Sequence, residues 1–397
     1  MMKKLICLLL AAVLVMMSAA AMADTKTLDP QEKRGIQLKS VGENEVPDGI
    51  SPTTGLSLST LSVPEGFTGM AKTGRYLPMF AQIGNDEGGI GSRAPWGAAY
   101  ADVVYEMVLY RSTSGTTRMG FLFNDVVPDS LGPVRSSRVT SIWLREEWGA
   151  AYIYHGQQTY DGSNVIQELK TLGHDYIYDP LFFNGWAGGK DWDKFFSRRS
   201  GIVSPYNRNA NPAGIYTLVP NDYTAPNHAF KFTDEIPEGD AAMTVDVVWL
   251  SGESKSNDYF DSRLVYDVDA GAYLRYVNHG KDGFQPWVDK DEGSQIAFAN
   301  VIVQFTKTVF NHRRDAPIQY VIGKNYKAAE GNADFFMAGK HVSGYWKRDA
   351  ATSRTVFYGP DGDEISLQRG KTLILIFPDD DVMTDGGAKQ GSVSYSN

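Results

Sequence analysis

A chain of 397 residues, 42% apolar and 21% charged, is long enough for two domains with real cores and too apolar to stay disordered. Its formal charge of −9 argues against a nucleic-acid or anionic-membrane partner. The one cysteine, Cys7, sits near the N-terminus, which excludes disulfides, zinc–thiolate sites and cysteine nucleophiles from the rest of the chain.

The first residues have the pattern of a secretory signal peptide, 1–23. Lys3 and Lys4 precede an apolar run, 5–17, and Ala21-Met22-Ala23 offers a small-x-small cleavage site after Ala23. An uncleaved anchor is the alternative, but the run is short for a span, and no transmembrane segment is expected after cleavage. Cys7 lies far upstream of the cleavage site, so lipid anchoring is not expected. Without Lys3 and Lys4 the 38 basic groups become 36 against 47 acidic, a charge of −11. Residues 24–50 are polar and aperiodic, a flexible spacer.

An N-terminal domain is expected over 51–236. It starts with a core strand, 75–83, a glycine-rich loop, 85–91, and a short helix, 96–101, with Pro95 at its start. The run VVYEMVL predicts a buried strand over 103–109, and the turn 112–115 makes it a hairpin with 117–124. Leu131-Gly132-Pro133 breaks the chain. A helix follows over 135–148, N-capped by Ser136 or Ser137, then a strand, 151–155, and a helix, 161–172, closed by Gly173. Residues 176–227 read as long ordered loops, and Pro237-Glu238-Gly239 as the domain boundary.

From 240 to 378 the pattern is strands and turns, with candidates at 245–250, 262–267, 273–277, 301–306, 319–322, 335–337, 341–347, 355–357 and 372–377. Asp269-Ala270-Gly271 and Pro360-Asp361-Gly362-Asp363 sit at hairpin positions. Residues 379–397 are acidic and glycine/serine-rich, a disordered tail. The fold class expected is α+β: an N-terminal mixed α/β domain followed by a β-rich, barrel- or sandwich-like C-terminal domain.

The sharpest polar signal is Gly132-Pro133-Val134-Arg135-Ser136-Ser137-Arg138. Two guanidinium groups and two hydroxyls at a helix start would make a cradle for carboxylate, phosphate or sulfate. The alternative is that Arg135 and Arg138 pair with Glu106, Asp125 or Glu146 as internal struts. Glu106, inside an apolar strand, needs a partner, and Arg118 on the next strand is the candidate. His155 ends a strand and His228 follows Pro226-Asn227; each alone reads as structural, but converging near the arginines they could serve acid–base chemistry. Trp186, Trp192, Phe195 and Phe196 read as loop packing, with a sugar-stacking platform as the alternative. No G-x-S-x-G, H-E-x-x-H or P-loop occurs, and neither a cofactor nor a metal is expected.

Thr54-Gly55-Leu56, Ala101-Asp102-Val103-Val104-Tyr105-Glu106, Thr117-Arg118, Gly132 to Arg138, His155-Gly156 and Asn227-His228 together resemble the YerB family. Its members are exported bacterial proteins, many classed as lipoproteins, built on a domain of unknown function. The resemblance implies an N-terminal α/β-type domain joined to a smaller β-rich one outside the cytoplasm, and no established activity.

The expected function is that of an extracytoplasmic cell-envelope protein. A pocket lined by Glu106, Arg118, Arg135, Ser136, Arg138, His155 and His228 would bind an anionic group of a glycan or small molecule, its partner a cell-wall or envelope component. The alternative is an envelope-polymer hydrolase or transferase with Glu106 or His155 as general base. A third reading makes the charges internal braces.

Overall fold

The computed structural model describes residues 24–85, 94–109, 116–249, 260–310, 317–379 and 391–397. The leader, most of the glycine-rich loop and the 112–115 turn lie outside the described residues.

Runs of β-branched and aromatic residues become strands. In the first half these are β1 (Lys26–Thr27), β2 (Met79–Gly84), β3 (Val103–Val108), β4 (Thr117–Phe123), β5 (Ala151–Tyr154), β6 (Phe182–Asn184), β7 (Phe196–Arg198) and β8 (Arg208–Ala210). The second half adds β9 (Thr244–Val248), β10 (Ser262–Asp267), β11 (Ala272–Asn278), β12 (Phe284–Pro286) and β13 (Asn300–Thr306). It continues with β14 (Ala329–Met337), β15 (Lys340–Arg348), β16 (Thr372–Pro378) and β17 (Ser392–Ser396). The helices that position the site are α1 (Val139–Trp148) and α2 (Val165–Thr171).

Among the described residues, an eleven-stranded sheet runs β15–β14–β13–β16–β3–β4–β2–β5–β6, with the short strands Asp240–Ala241 and Val356–Tyr358 both on β15. This sheet crosses the boundary expected at Pro237-Glu238-Gly239. Strand β16 lies parallel to β3, with Leu375 opposite Glu106, and parallel to β13 on its other side. A second sheet, β1–β17–β9–β10–β11–β12 with Ala297–Phe298 on β11, covers one face, where Phe121 meets Trp287 edge-on at 6.4 Å. Helix α1 covers the other face, and Trp148 Nε1 donates to the Tyr105 hydroxyl at 2.8 Å. The chain is β-rich with few helices and several sheets. No sheet of the described residues closes into a barrel.

Several expectations are corrected. The tail is not wholly frayed, because β17 pairs with both β9 and β1. The spacer has almost no regular structure but is tied down: Arg34 donates to the Ala333 and Gly344 carbonyls and pairs with buried Asp334 at 2.7 Å. Helix α1 starts at Val139, with Arg138 rather than a serine as N-cap and no side chain capping it. The reason lies in the backbone hydrogen bonds. The Arg135 N–H donates to Gln82 O and the His155 N–H to Arg135 O, each at 2.9 Å, so these groups are committed to the sheet. The helix ends at Gly149, in the left-handed region at φ 54°, where a Cβ would lie 2.4 Å from Pro226.

His174, just after α2, ties that end of the fold together. Its ring nitrogens lie 2.9 Å from Glu146 Oε1 and 2.8 Å from Asp179 Oδ2, and Arg145 pairs with the same Glu146. Burial disfavours the charged ring, but the two carboxylates outweigh it and push the imidazole up from 6.5 to about 9. The stability it supplies is therefore full below pH 6.5 and lost as pH rises through about 9. Thermal unfolding from pH 6 to 10 should show His174→Gln lowering Tm at the acid end and matching the parent at the alkaline end. A deficit independent of pH would contradict this.

Candidate functional site

In parallel sheets, ligands gather outside the carboxyl ends of the strands, where neighbours diverge. Strands β2 and β5 are parallel neighbours over Met79–Ala81 and Ala151–Ile153, then separate. The segment 134–137 enters the gap: Val134 bridges Ile83, Arg135 links Gln82 to His155, and Ser137 bridges Gln157. Immediately after it, α1 begins. The hairpin β7–β8 lies alongside, the Val134 N–H donating to Arg208 O at 2.9 Å. Gly132 permits that approach, since a Cβ there would sit 2.5 Å from the same carbonyl and 2.3 Å from Trp96.

Four cationic or potentially cationic groups meet here. Arg135 lies over the Tyr206 ring at 5.2 Å. Arg198 and Arg208 stand directly opposite each other in the β7–β8 pair. No carboxylate among the described residues pairs with either of them. Arg198 instead donates to Ser204 Oγ at 2.8 Å and Asn207 Oδ1 at 3.2 Å. The adjacent Arg199 differs, braced by Asp291 from the second half of the chain and stacked on Trp96 at 4.4 Å. Burial, and then the charges of Arg208, Arg198 and Arg135, push His155 down from 6.5 to about 4. Burial and Arg198 likewise lower the Arg208 guanidinium. Trp186, 70% exposed, sits edge-on to His155 at 5.4 Å.

Arg118 and Arg138 lie on the α1 side of the sheet, near the helix start. Both act on the buried Tyr152 hydroxyl, which burial otherwise pushes up in pKa and which lies 2.9 Å from Ser137 Oγ and 3.0 Å from Gln82 Oε1. The Arg138 guanidinium donates to the Ser136 and Ser137 carbonyls at 3.1 and 2.9 Å, folding back over the helix start. Ser136 Oγ rests against Gly156, next to His155.

Two expected site residues lie elsewhere. The β3–β4 register sets Glu106 opposite Met119 and Arg118 opposite Met107, so the expected Glu106–Arg118 pair faces opposite sides of the sheet. Glu106 is fully buried and points to the second sheet. There it pairs with Arg275 at 2.5 Å and accepts from Thr117 Oγ1 at 2.7 Å and Asn85 Nδ2 at 3.2 Å. A carboxylate so enclosed has no route to a substrate proton, which removes it as a general base. His228 sits at the far end of α1, about 15 Å along a ten-residue helix. It lies 2.9 Å from Thr352 O and 3.2 Å from Glu43 Oε2.

Arg198, Arg208 and Tyr206 were not anticipated. Their signal is local: Ser197-Arg198-Arg199 and Asn207-Arg208-Asn209 flank Ser204-Pro205, a hairpin carrying arginines on both arms. The aromatic cluster divides. Trp186 is exposed, whereas Trp192, Phe195 and Phe196 pack against the core, Trp192 meeting Phe183 edge-on at 5.6 Å.

The result is a β-rich protein of two facing sheets with three arginines and a histidine gathered at the ends of parallel strands. Two family profiles match it, described as the N-terminal domain of a protein of unknown function (DUF3048) over residues 67–224 and its C-terminal domain over 251–374. The chain belongs to this DUF3048 family. "Putative lipoprotein YerB" of Bacillus subtilis (strain 168) is 21% identical over 301 residues, 72% of this chain and 78% of that protein. The crystal structure of YerB protein from Bacillus subtilis superposes with a TM-score of 0.61 at 19% identity, over 82% of this chain and 95% of that one. No helix among the described residues is long and apolar enough to cross a membrane.

Proposed function

We propose that this is an extracytoplasmic cell-envelope protein that binds an anionic group of a glycan or small molecule in the crevice at Arg135, Arg198, Arg208 and His155. The observation that carries the reading is the Arg198–Arg208 cross-strand pair. Like charges directly opposite in a sheet cost stability. Here they adjoin a third arginine, with no carboxylate among the described residues pairing with Arg198 or Arg208. A bound carboxylate, phosphate or sulfate would relieve that repulsion with charge-assisted hydrogen bonds. The exposed Trp186 ring offers a stacking face for a sugar beside the anion.

The hydrolase or transferase reading is weaker. It retains only His155 as base, and a group with a pKa of about 4 is a poor proton acceptor at neutral pH.

Binding of a sulfated oligosaccharide and its desulfated counterpart, measured by calorimetry at low salt, tests the proposal. The sulfated form should bind and the desulfated form should not. The double variant Arg198→Ala/Arg208→Ala should lose at least about tenfold in affinity with a Tm no lower than the parent's, since charged hydrogen bonds contribute about 1.5–3 kcal/mol each and the cross-strand repulsion is removed. Affinity unchanged in the double variant would refute the site.

A further inference from the structure

A separate cleft of about 320 Å³ opens between α1, α2 and the segment 318–326. Its aromatic side combines Trp143 and Tyr320, tilted 33° with centroids 5.6 Å apart. Glu168 adjoins them, its Oε1 accepting from Trp143 Nε1 at 2.6 Å and from the Tyr326 hydroxyl at 2.8 Å. Within the described residues, Oε2 accepts no hydrogen bond. Asn164, Gln167 and Asn325 add amide groups to the lining. The only formal charges among the lining residues are Glu168 and Lys324, one of each sign.

The lip is also conformationally costly. Asn325 and Tyr326 are consecutive non-glycine residues in the left-handed region, at φ 56° and 58°. For a side chain as large as tyrosine this backbone is strained, and such strain concentrates at ligand clamps. It persists here because the Tyr326–Glu168 bond pins the lip to α2.

We infer that this cleft is a binding site for an uncharged sugar ring of a glycan chain. Aromatic faces for the apolar side of a pyranose, with amide and carboxylate groups for its hydroxyls, suit such a ring, and the balanced charge disfavours an ion. The volume lies at the small end of ligand pockets, which suits one or two rings rather than a folded partner. The site does not depend on the cationic crevice, although Val139, which lines it, adjoins Arg138 in the chain. A glycan with alternating neutral and acidic units could occupy both.

The test is titration of the purified protein with chitotriose, cellotriose and maltotriose, followed by tryptophan fluorescence and by NMR of the saccharide. At least one should bind. Tyr320→Ala should weaken that binding at least tenfold, and Arg208→Ala should leave it unchanged. Asn325→Gly removes a cleft amide where glycine fits the backbone without strain, so it should weaken binding even if Tyr320→Ala fails to fold. Failure of all three saccharides to bind, or binding that survives both cleft substitutions, overturns the inference. Neither outcome bears on the anion site, whose probe and variants are different.

Discussion

Glu106→Ala should destabilise the protein by about 3–5 kcal/mol, the cost of stripping one partner from a buried ion pair. Glu106 and Arg275 are both fully buried, their contact spans the interface between the two sheets, and the guanidinium lies over Trp287 at 4.4 Å. Alanine would leave that cation in an apolar layer and also remove the acceptor used by Thr117 and Asn85. The pair itself need not be a net source of stability, because desolvating two charges offsets most of their attraction. The double replacement Glu106→Leu/Arg275→Met should therefore recover most of the loss. Urea unfolding of the two single variants and the double variant measures both quantities. A single-variant loss below about 1 kcal/mol would mean the pair is hydrated rather than enclosed. None of these variants should alter the affinity of folded protein for the sulfated probe, since neither Glu106 nor Arg275 is among the groups proposed to hold it.

The same residues show what the sequence could carry. Uninterrupted β-branched runs such as Val103–Val108 and Thr372–Pro378 announce buried strands whatever they pair with, so those strands were legible. Which face each side chain takes depends on register, and a slip of one residue reverses it. The Glu106–Arg118 expectation failed on that point alone. That Arg135 and Arg138 stand at a helix start was legible because a chain break before a helix is a local pattern. Arg198 and Arg208 join them only through the pairing of β8 with 131–134, a contact between distant segments. The residues that carry the family resemblance also divide by role. Of these, Thr54 donates to Asp125 at 2.7 Å and Asp102 accepts from Thr53 at 3.0 Å, all four side chains buried, so their contacts account for them as packing.

Binding of the sulfated probe should tighten as pH falls from 7.5 to 5, with His155 as the cause. In the free protein burial and three neighbouring arginines hold this imidazole at about 4, so it is neutral over that range. Seating a sulfate among the same arginines offsets their repulsion, though not the burial that is the larger cause, and so raises the His155 pKa part of the way back toward 6.5. Between the free and the bound values the complex holds a proton that the free protein lacks, so acidification favours binding. Sulfate stays ionised throughout, and constant ionic strength removes screening as a competing cause. The unliganded protein should show the opposite trend. Its folded pKa is depressed, so His155 supports stability above pH 6.5 and withdraws that support as pH falls toward 4, where the unfolded chain takes up the proton first. His155→Gln should bind the probe with an affinity nearly independent of pH over the same interval. An equal slope in His155→Gln and the parent would place the titrating group elsewhere, and a flat profile in the parent would separate His155 from the anion altogether.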